Sequence, residues 1–305
     1  MPDSIDARSV RADDLRYLLA VARAGSRAVA ATDLGVDSST VTRRMRALEQ
    51  VLGVRLVEQG VDGWELTEIG RDVAERAAPI ESAVESAIDV VAGARTNSLR
   101  GNVRITAPDA FGAYFVAPAM ARLRNANPDL TVEVLTATRQ LNLHQSGFDV
   151  AIAVGVPMSG KLVTAPLTEY ALGLYATDDY FRAHPMPRTT ADLIEHSLIW
   201  YVDSLLQVGD LDLTHHLPAL TSRLMSTNVF AQVEATRAGG GIGLLPAFVA
   251  TRHRDLKRVL GDDVEIRMDF SFAARRERLT SPTVQAIHAA LRAEVDARTT
   301  ELLPR

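Results

Sequence analysis

Over the first seventy residues the apolar positions fall at helical steps. Leu15, Leu18, Leu19 and Ala22 share one face behind the acidic pair Asp13 and Asp14, and Gly25 ends that helix. Ser26 caps a short helix through Ala30, Ala31 and Leu34, after which Gly35 turns the chain. From 37 to 53, Val41, Met45, Leu48 and Leu52 follow at steps of four, three and four and predict a third helix with a single apolar stripe. Asp37 suits its N-cap, with the carboxylate accepting from backbone N–H groups, and Gly53 suits a left-handed stop. Residues 54–57 and 64–66 predict two short strands, joined through Asp62 and Gly63, which tolerate the backbone of a tight hairpin. Helix, helix, short turn, helix and hairpin make a winged helix-turn-helix over residues 1–66.

A longer helix is expected from Thr67, its N-cap, to about residue 94. Ile69, Val73, Ala77, Ile80, Val84, Ala87 or Ile88, and Val91 recur at alternating steps of four and three, which keeps one seam facing a partner. Pro79 removes one backbone donor from it. No neighbouring segment before Asn97 offers cover, so residues 67–96 are expected to be a linker and dimerisation helix. Thr96, Asn97, Ser98 and Gly101 form a hinge.

Beyond the hinge, strands and helices alternate. Strands are expected at 103–106, 131–135 and 149–154, with a helix at 112–125 between the first two, a pattern that implies a mostly parallel sheet. A second α/β unit starts near Pro166, with strands at 167–177, 198–202, 222–225 and 242–245. Its helices are expected at 178–183 and 192–195, and from Asn228 to the run Gly239-Gly240-Gly241. A strand at 267–274 and an amphipathic helix at 281–298 return to the first unit. Residues 97–305 thus read as one domain of two lobes, the first about 101–165 with 267–305 and the second about 166–266.

The face of the 37–53 helix opposite its stripe carries Ser39, Arg43, Arg46 and Gln50. Short hydroxyls and guanidinium forks there can reach phosphates and guanine edges without bulky groups in the way, although a solvated charged face would look the same. The chain has 305 residues, 47% of them hydrophobic, and a formal net charge of −5, which argues against nonspecific coating of nucleic acid. A small DNA-reading face on a larger acidic body remains compatible with that charge, because phosphates meet the local potential. Lysine occurs only at Lys161 and Lys257, so nearly every cation is arginine, a bias that a GC-rich genome also produces.

Cysteine is absent, which excludes disulfides, thiol redox sensing and cysteine-based metal sites. Residues 1–11 are polar and charged, and no run approaches the roughly 20 apolar residues of a membrane span. A cytoplasmic protein without a membrane partner is expected. Gly239, Gly241 and Gly243 follow a helix and precede a strand, the reverse of the dinucleotide fingerprint, and Leu244 stands where its last glycine would be. They read as a helix stop feeding a turn. His215-His216 has no carboxylate spacing that completes a metal site, and no Gly-x-Ser-x-Gly elbow occurs. Neither an enzyme nor a cofactor or metal is expected.

The chain resembles the LysR-type transcriptional regulators over nearly its whole length. The resemblance is carried by Leu15-Arg16-Tyr17 with Val21, by Ala24-Gly25-Ser26 with Ala30-Ala31 and Leu34, and by Val41-Thr42-Arg43 with Leu48-Glu49. It continues in Leu52-Gly53-Val54-Arg55-Leu56 and in Leu66-Thr67-Glu68 with Gly70. In the second half the matching residues are 147–152 (GFDVAI), Asp179-Tyr180-Phe181, and Gly239 to Gly243 with Leu245-Pro246. The resemblance implies a winged helix-turn-helix, a dimerisation helix and a two-lobed periplasmic-binding-protein-like domain with a small-molecule effector between its lobes. It also implies a homodimer, with further pairing to tetramers, on an inverted-repeat operator in double-stranded DNA.

Two departures matter. Asp37-Ser38 stands where the family usually has Ser-Gln, so a base-reading Gln is missing. The wing carries Gln59, Asp62, Gly63 and Glu65 where arginine is often found, which removes much of its attraction for phosphate. Expected DNA contacts are therefore Ser38, Ser39 and Thr42 with the cations Arg43, Arg44, Arg46 and Arg55. Expected effector contacts are Pro108, Asp109, Thr136 and Thr138 from the first lobe, with Tyr201, Asp203 and Asn228 from the second. Tyr201 would supply an apolar wall with a polar tip, and Asp109, as an N-cap, would bias the pocket toward neutral or cationic effectors. A ligand-responsive regulator is the first reading. The alternative is a small-molecule-binding or catalytic α/β protein whose N-terminal segment is a protein-interaction module.

Overall fold

The computed structural model describes residues 9–60, 63–93, 98–136, 148–155, 162–202, 222–261 and 263–304. They belong to two compact units that divide between Asn97 and Ser98.

The N-terminal unit contains α1 (Ala12–Ala24), α2 (Arg27–Leu34), α3 (Ser38–Leu52), the strands β1 (Val57–Gly60) and β2 (Gly63–Leu66), and α4 (Glu68–Gly93). Its core brings the expected stripe of Val41, Met45 and Leu48 against Leu18, Val21, Ala30 and Leu56, all essentially inaccessible. Ser26 Oγ accepts from Val29 N at 3.2 Å, the expected cap of α2. At α3 the cap differs from expectation. Asp37 is in the N-cap position, but its side chain accepts no capping bond; its backbone carbonyl takes Thr40 N at 2.9 Å instead.

The hairpin pairs Val57 with Leu66 and Gly60 with Gly63, so its first strand lies three residues beyond the expected 54–57. Glu49 explains the shift. Its Oε1 accepts from Leu56 N at 2.8 Å and Val57 N at 3.2 Å, which holds the chain leaving α3 against that helix before it can enter the strand. Thr67 begins α4 as expected, its Oγ1 accepting from Gly70 N at 2.9 Å. The α4 seam is partly covered within its own unit, contrary to expectation: Ala74 and Ala77 are buried in the N-terminal core and Val73 packs against it. Ile69 and Val84 stay half exposed.

Among the described residues, the second unit is built on a nine-stranded mixed sheet. In chain order it holds β3 (Gly101–Ala107), α5 (Asp109–Phe111), a π turn (Gly112–Val116), α6 (Ala117–Ala126), β4 (Leu130–Thr136), β5 (Val150–Val154) and β6 (Leu162–Thr177). There follow α7 (Asp178–Ala183), a 3-10 turn (Thr190–Glu195), β7 (Leu198–Tyr201), β8 (Ser222–Ser226), α8 (Val229–Arg237), β9 (Ile242–Pro246) and α9 (Ala247–Ala250). Then come β10 (Leu256–Val259), β11 (Glu265–Arg275), α10 (Pro282–Ala297) and α11 (Thr299–Leu302).

The expected parallel pairings occur within each lobe, β3 with β4 and β5 in the first and β7 with β8 and β9 in the second. The remaining pairings are antiparallel, because β6 and β11 run the length of both lobes side by side, from Leu162↔Arg275 to Gly173↔Glu265. A mostly parallel sheet was the expectation, and the two crossover strands overturn it. Their register slips between Phe270 and Ser271, opposite Leu167, where the ladder passes from one lobe to the other. Aromatic rings fill that passage: Tyr170 stacks on Phe270 at 4.2 Å, and Phe270 lies 4.2 Å from Phe111. The strand β10, paired to the end of β6, had no expectation from the sequence. Gly239, at φ +78, follows the end of α8 and opens the glycine run that leads into β9, as expected.

Candidate functional site

Helix α3 turns its apolar stripe into the core, so the opposite face meets solvent. Ser39, Arg43, Arg46 and Gln50 are exposed, and among the described residues neither Arg43 nor Arg46 makes an ion pair. Arg55, just beyond the helix, has an 81% exposed side chain with only a loose 3.8 Å contact to Glu49. The positions arranged by the sequence pattern are thus side by side on one open cationic face.

Three of the expected contacts are committed elsewhere. Arg44 donates from Nη1 to Asp14 Oδ1 at 3.0 Å and lies 5.7 Å from the centre of the Tyr17 ring, with a second, 3.7 Å contact to Asp13. One residue past Arg43, it lies about 100° around the helix, which directs it toward α1 rather than outward. It is a strut of the domain instead of an open cation. Thr42 Oγ1 donates to Ser38 O at 3.0 Å and accepts from Arg27 Nη1 at 3.3 Å, and Ser38 is half buried. Arg27 was missed in the sequence. Its guanidinium sits 5.6 Å from the Trp64 ring, which places a cation between α2, α3 and the acidic wing. Only its position at the start of α2 hinted at this.

In the second unit the connection after β3 faces the connection after β8. Pro108, not Asp109, takes the N-cap position of α5, and Asp109 follows as the first helical residue. Asn228 caps α8, its Oδ1 accepting from Ala231 N at 3.0 Å, while its Nδ2 donates to Asp109 Oδ2 at 2.7 Å. Two residues expected from opposite lobes are therefore bonded directly to one another. Thr136 ends β4 with its methyl against Gly112; a Cβ on that glycine would lie 2.6 Å from it, so the close approach requires glycine. Thr138, Asp203 and the His215-His216 pair lie outside the described residues.

Tyr201 is the most buried of the described effector candidates. It is 8% exposed and part of the hydrophobic core, and burial pushes its phenol well above the ordinary value. Beyond the Tyr170–Phe270–Phe111 cluster, Tyr114 of the first lobe and Phe230 of the second meet edge to face at 5.9 Å. Arg252, from the second lobe, lies 4.3 Å over Tyr114 and pairs with Glu301 of the first lobe at 2.8 Å. Gln232 was also missed. One turn after Asn228 and fully buried, it donates to Trp200 O at 3.1 Å and Ser226 O at 2.8 Å, tying the ends of β7 and β8 beneath Asn228. A glutamine on a helix reveals nothing of this until the carbonyls it meets are known. No helix among the described residues is long and apolar enough to cross a membrane.

Comparison with known proteins agrees with this two-part construction. Residues 12–71 match the family model of the bacterial regulatory helix-turn-helix protein, lysR family, and residues 96–296 match that of the LysR substrate binding domain. The chain is similar to the Mau operon transcriptional activator of Paracoccus denitrificans, 31% identical over 242 residues, covering 78% of this chain and 80% of that protein. It is 29% identical over 188 residues to the HTH-type transcriptional activator TtdR of Escherichia coli (strain K12), covering 62% of this chain. That match spans 60% of TtdR's own length. Among solved structures, a full-length OxyR variant from Pseudomonas aeruginosa has a TM-score of 0.75 at 16% identity, covering 93% of this chain and 95% of that one. ArgP from Mycobacterium tuberculosis has a TM-score of 0.70 at 22% identity, covering 92% and 96%. At such identities the two structures speak to the fold.

Proposed function

The chain belongs to the LysR family, and on that premise we propose that it is a sequence-specific DNA-binding transcriptional regulator, not an enzyme, answering to a small molecule held between its two α/β lobes. The observation that carries this reading is the open face of α3. Arg43 and Arg46 are exposed on a helix whose other side is locked in the core by Val41, Met45 and Leu48. A rigid helix with free guanidinium groups suits entry into a major groove, and Arg55 extends the cationic line past its end. Ser39 can reach a base or phosphate beside them.

Two such helices are needed for an inverted-repeat operator, and α4 supplies the means of pairing. Ile69 and Val84 remain half exposed on a 26-residue helix, apolar surface that a second copy would cover. On the same reading the dimers can pair further, and the protein works in the cytoplasm. The effector's contacts are drawn from Pro108, Asp109, Thr136 and Asn228, with Thr138 and Asp203 on the neighbouring segments and Tyr201 as part of the floor.

An electrophoretic shift titration on the promoter beside the protein's own coding region tests the reading. The full chain should give a saturable complex that weakens with salt. Arg43→Ala and Arg46→Ala should each lower affinity and reduce the logarithmic salt slope by about one unit. Undiminished binding by both variants rules out this face.

A further inference from the structure

On the reading that α3 enters a DNA groove, we infer that Arg27 is a further DNA-contacting residue, a phosphate clamp beside α3 that the Trp64 ring of the wing aims. Arg27 opens α2 and is exposed. Its Nη1 donates to Thr42 Oγ1 at 3.3 Å, and its guanidinium lies 5.6 Å from the centre of the Trp64 ring. Thr42 comes one residue before Arg43, so it lies about 100° around α3 on the side opposite Arg44, and only about 40° from Arg46. The two flanks of the cationic face therefore differ. One is closed by the pairing of Arg44 with Asp14, and the other carries Arg27.

The wing holds this cation without neutralising it. Across the hairpin Glu58 pairs with Glu65 and Gln59 with Trp64. Successive strand residues point to opposite faces, so the two acids share one face and the ring takes the other. The start of β2 abuts the entry to α2, where a Cβ at Gly63 would lie 3.3 Å from Gly25 O, and this sets Trp64 against Arg27. Among the described residues, the contacts of Arg27 are the Thr42 hydroxyl and that ring, with no carboxylate. An aromatic face attracts a guanidinium and leaves its charge in place. Nε and Nη2 keep their donors for a phosphate, which a guanidinium fork can grip through two parallel bonds. Such a contact fixes the register of α3 on the duplex and reads no base itself. The acidic hairpin thus serves DNA binding through the ring it places under a neighbour's cation.

Shift titrations of the full chain over a salt series, on the promoter duplex and on a scrambled duplex of equal length, are the test. Arg27→Ala should weaken binding to both duplexes by a similar factor, on the order of tenfold, and lower the logarithmic salt slope by about one unit. Arg27→Gln keeps a donor for Thr42 and drops the charge, so it should lower the slope equally; it also serves if the alanine variant does not fold. Arg27→Lys should retain the slope. Trp64→Leu should weaken binding severalfold with the slope retained, and Trp64→Phe should recover the loss. A slope unchanged in both Arg27→Ala and Arg27→Gln makes the residue a brace and overturns the inference, as does a loss confined to the promoter duplex. A chain that binds DNA through Arg43 and Arg46 but is indifferent to Arg27 loses only this inference, whereas one that binds no duplex loses the regulator reading with it.

Discussion

Arg43 and Arg44 are adjacent in the chain, yet the first projects into solvent and the second reaches α1. The helical turn between them directs Arg44 to Asp14, whose side chain is only 7% exposed. Removing the guanidinium strands a nearly buried carboxylate, so Arg44→Ala should destabilise the protein by about 1–3 kcal/mol, measured by urea unfolding. It should change the salt slope of DNA binding less than Arg43→Ala does. A second residue-scale effect concerns pH. His196 lies 3.1 Å from Tyr180 Oη, and burial, reinforced by nearby His184, holds its imidazole below the ordinary value of about 6.5. The unfolded chain therefore takes up a proton that the folded chain resists. Stability from this group is complete above about pH 6.5, is lost as pH falls toward the folded value, and then levels off. Unfolding at pH 7.5 and 5.5 should show the loss, and His196→Gln should shrink it. A residual dependence is expected from His288, lowered by its own burial and by Arg292.

At the scale of elements, α4 serves two ends. Its first turns belong to the N-terminal core, where Ala74 and Ala77 are buried and Gly70 lets the helix meet the hairpin. A Cβ at Gly70 would lie 2.0 Å from Leu56 O, so only glycine allows that approach. Farther on, Val84 is half exposed. If a second copy covers it, Val84→Glu places a charge in an apolar seam, and sedimentation should show a weaker dimer with an intact monomer fold. The seam's 3.5-residue rhythm was plain in the sequence. That α1 would take up its beginning was not, because the same rhythm describes a helix packed on its own domain.

At the scale of the whole molecule, the C-terminal helices close the effector unit through charge as well as packing. Glu294 is buried at 6% exposure and accepts from Arg298 Nη1 at 2.8 Å while also pairing with Arg122; Arg298 lies over the Phe115 ring and bonds Tyr114 O. Glu294→Gln should cost about 1–2 kcal/mol in urea unfolding, since it removes the charge from a buried tie to Arg298 and Arg122 while Arg298 keeps its pair with Glu301. Such ties across the chain mark the limit of what the sequence determined. Periodicity and stop residues fixed the helices, the core-facing stripe of α3 and the two-part plan, because each depends on neighbours within a turn or two. The family resemblance added the lobes and the cleft. Only the tertiary structure decided that Arg44 is a strut, that β6 and β11 run through both lobes, that β10 pairs with β6, and that Tyr201 is buried. Asp109 and Asn228 stand 119 positions apart, and no local pattern records that they meet. Their contact exists because folding brings two strand ends face to face, and each side chain's chemistry is then set by the groups opposite it.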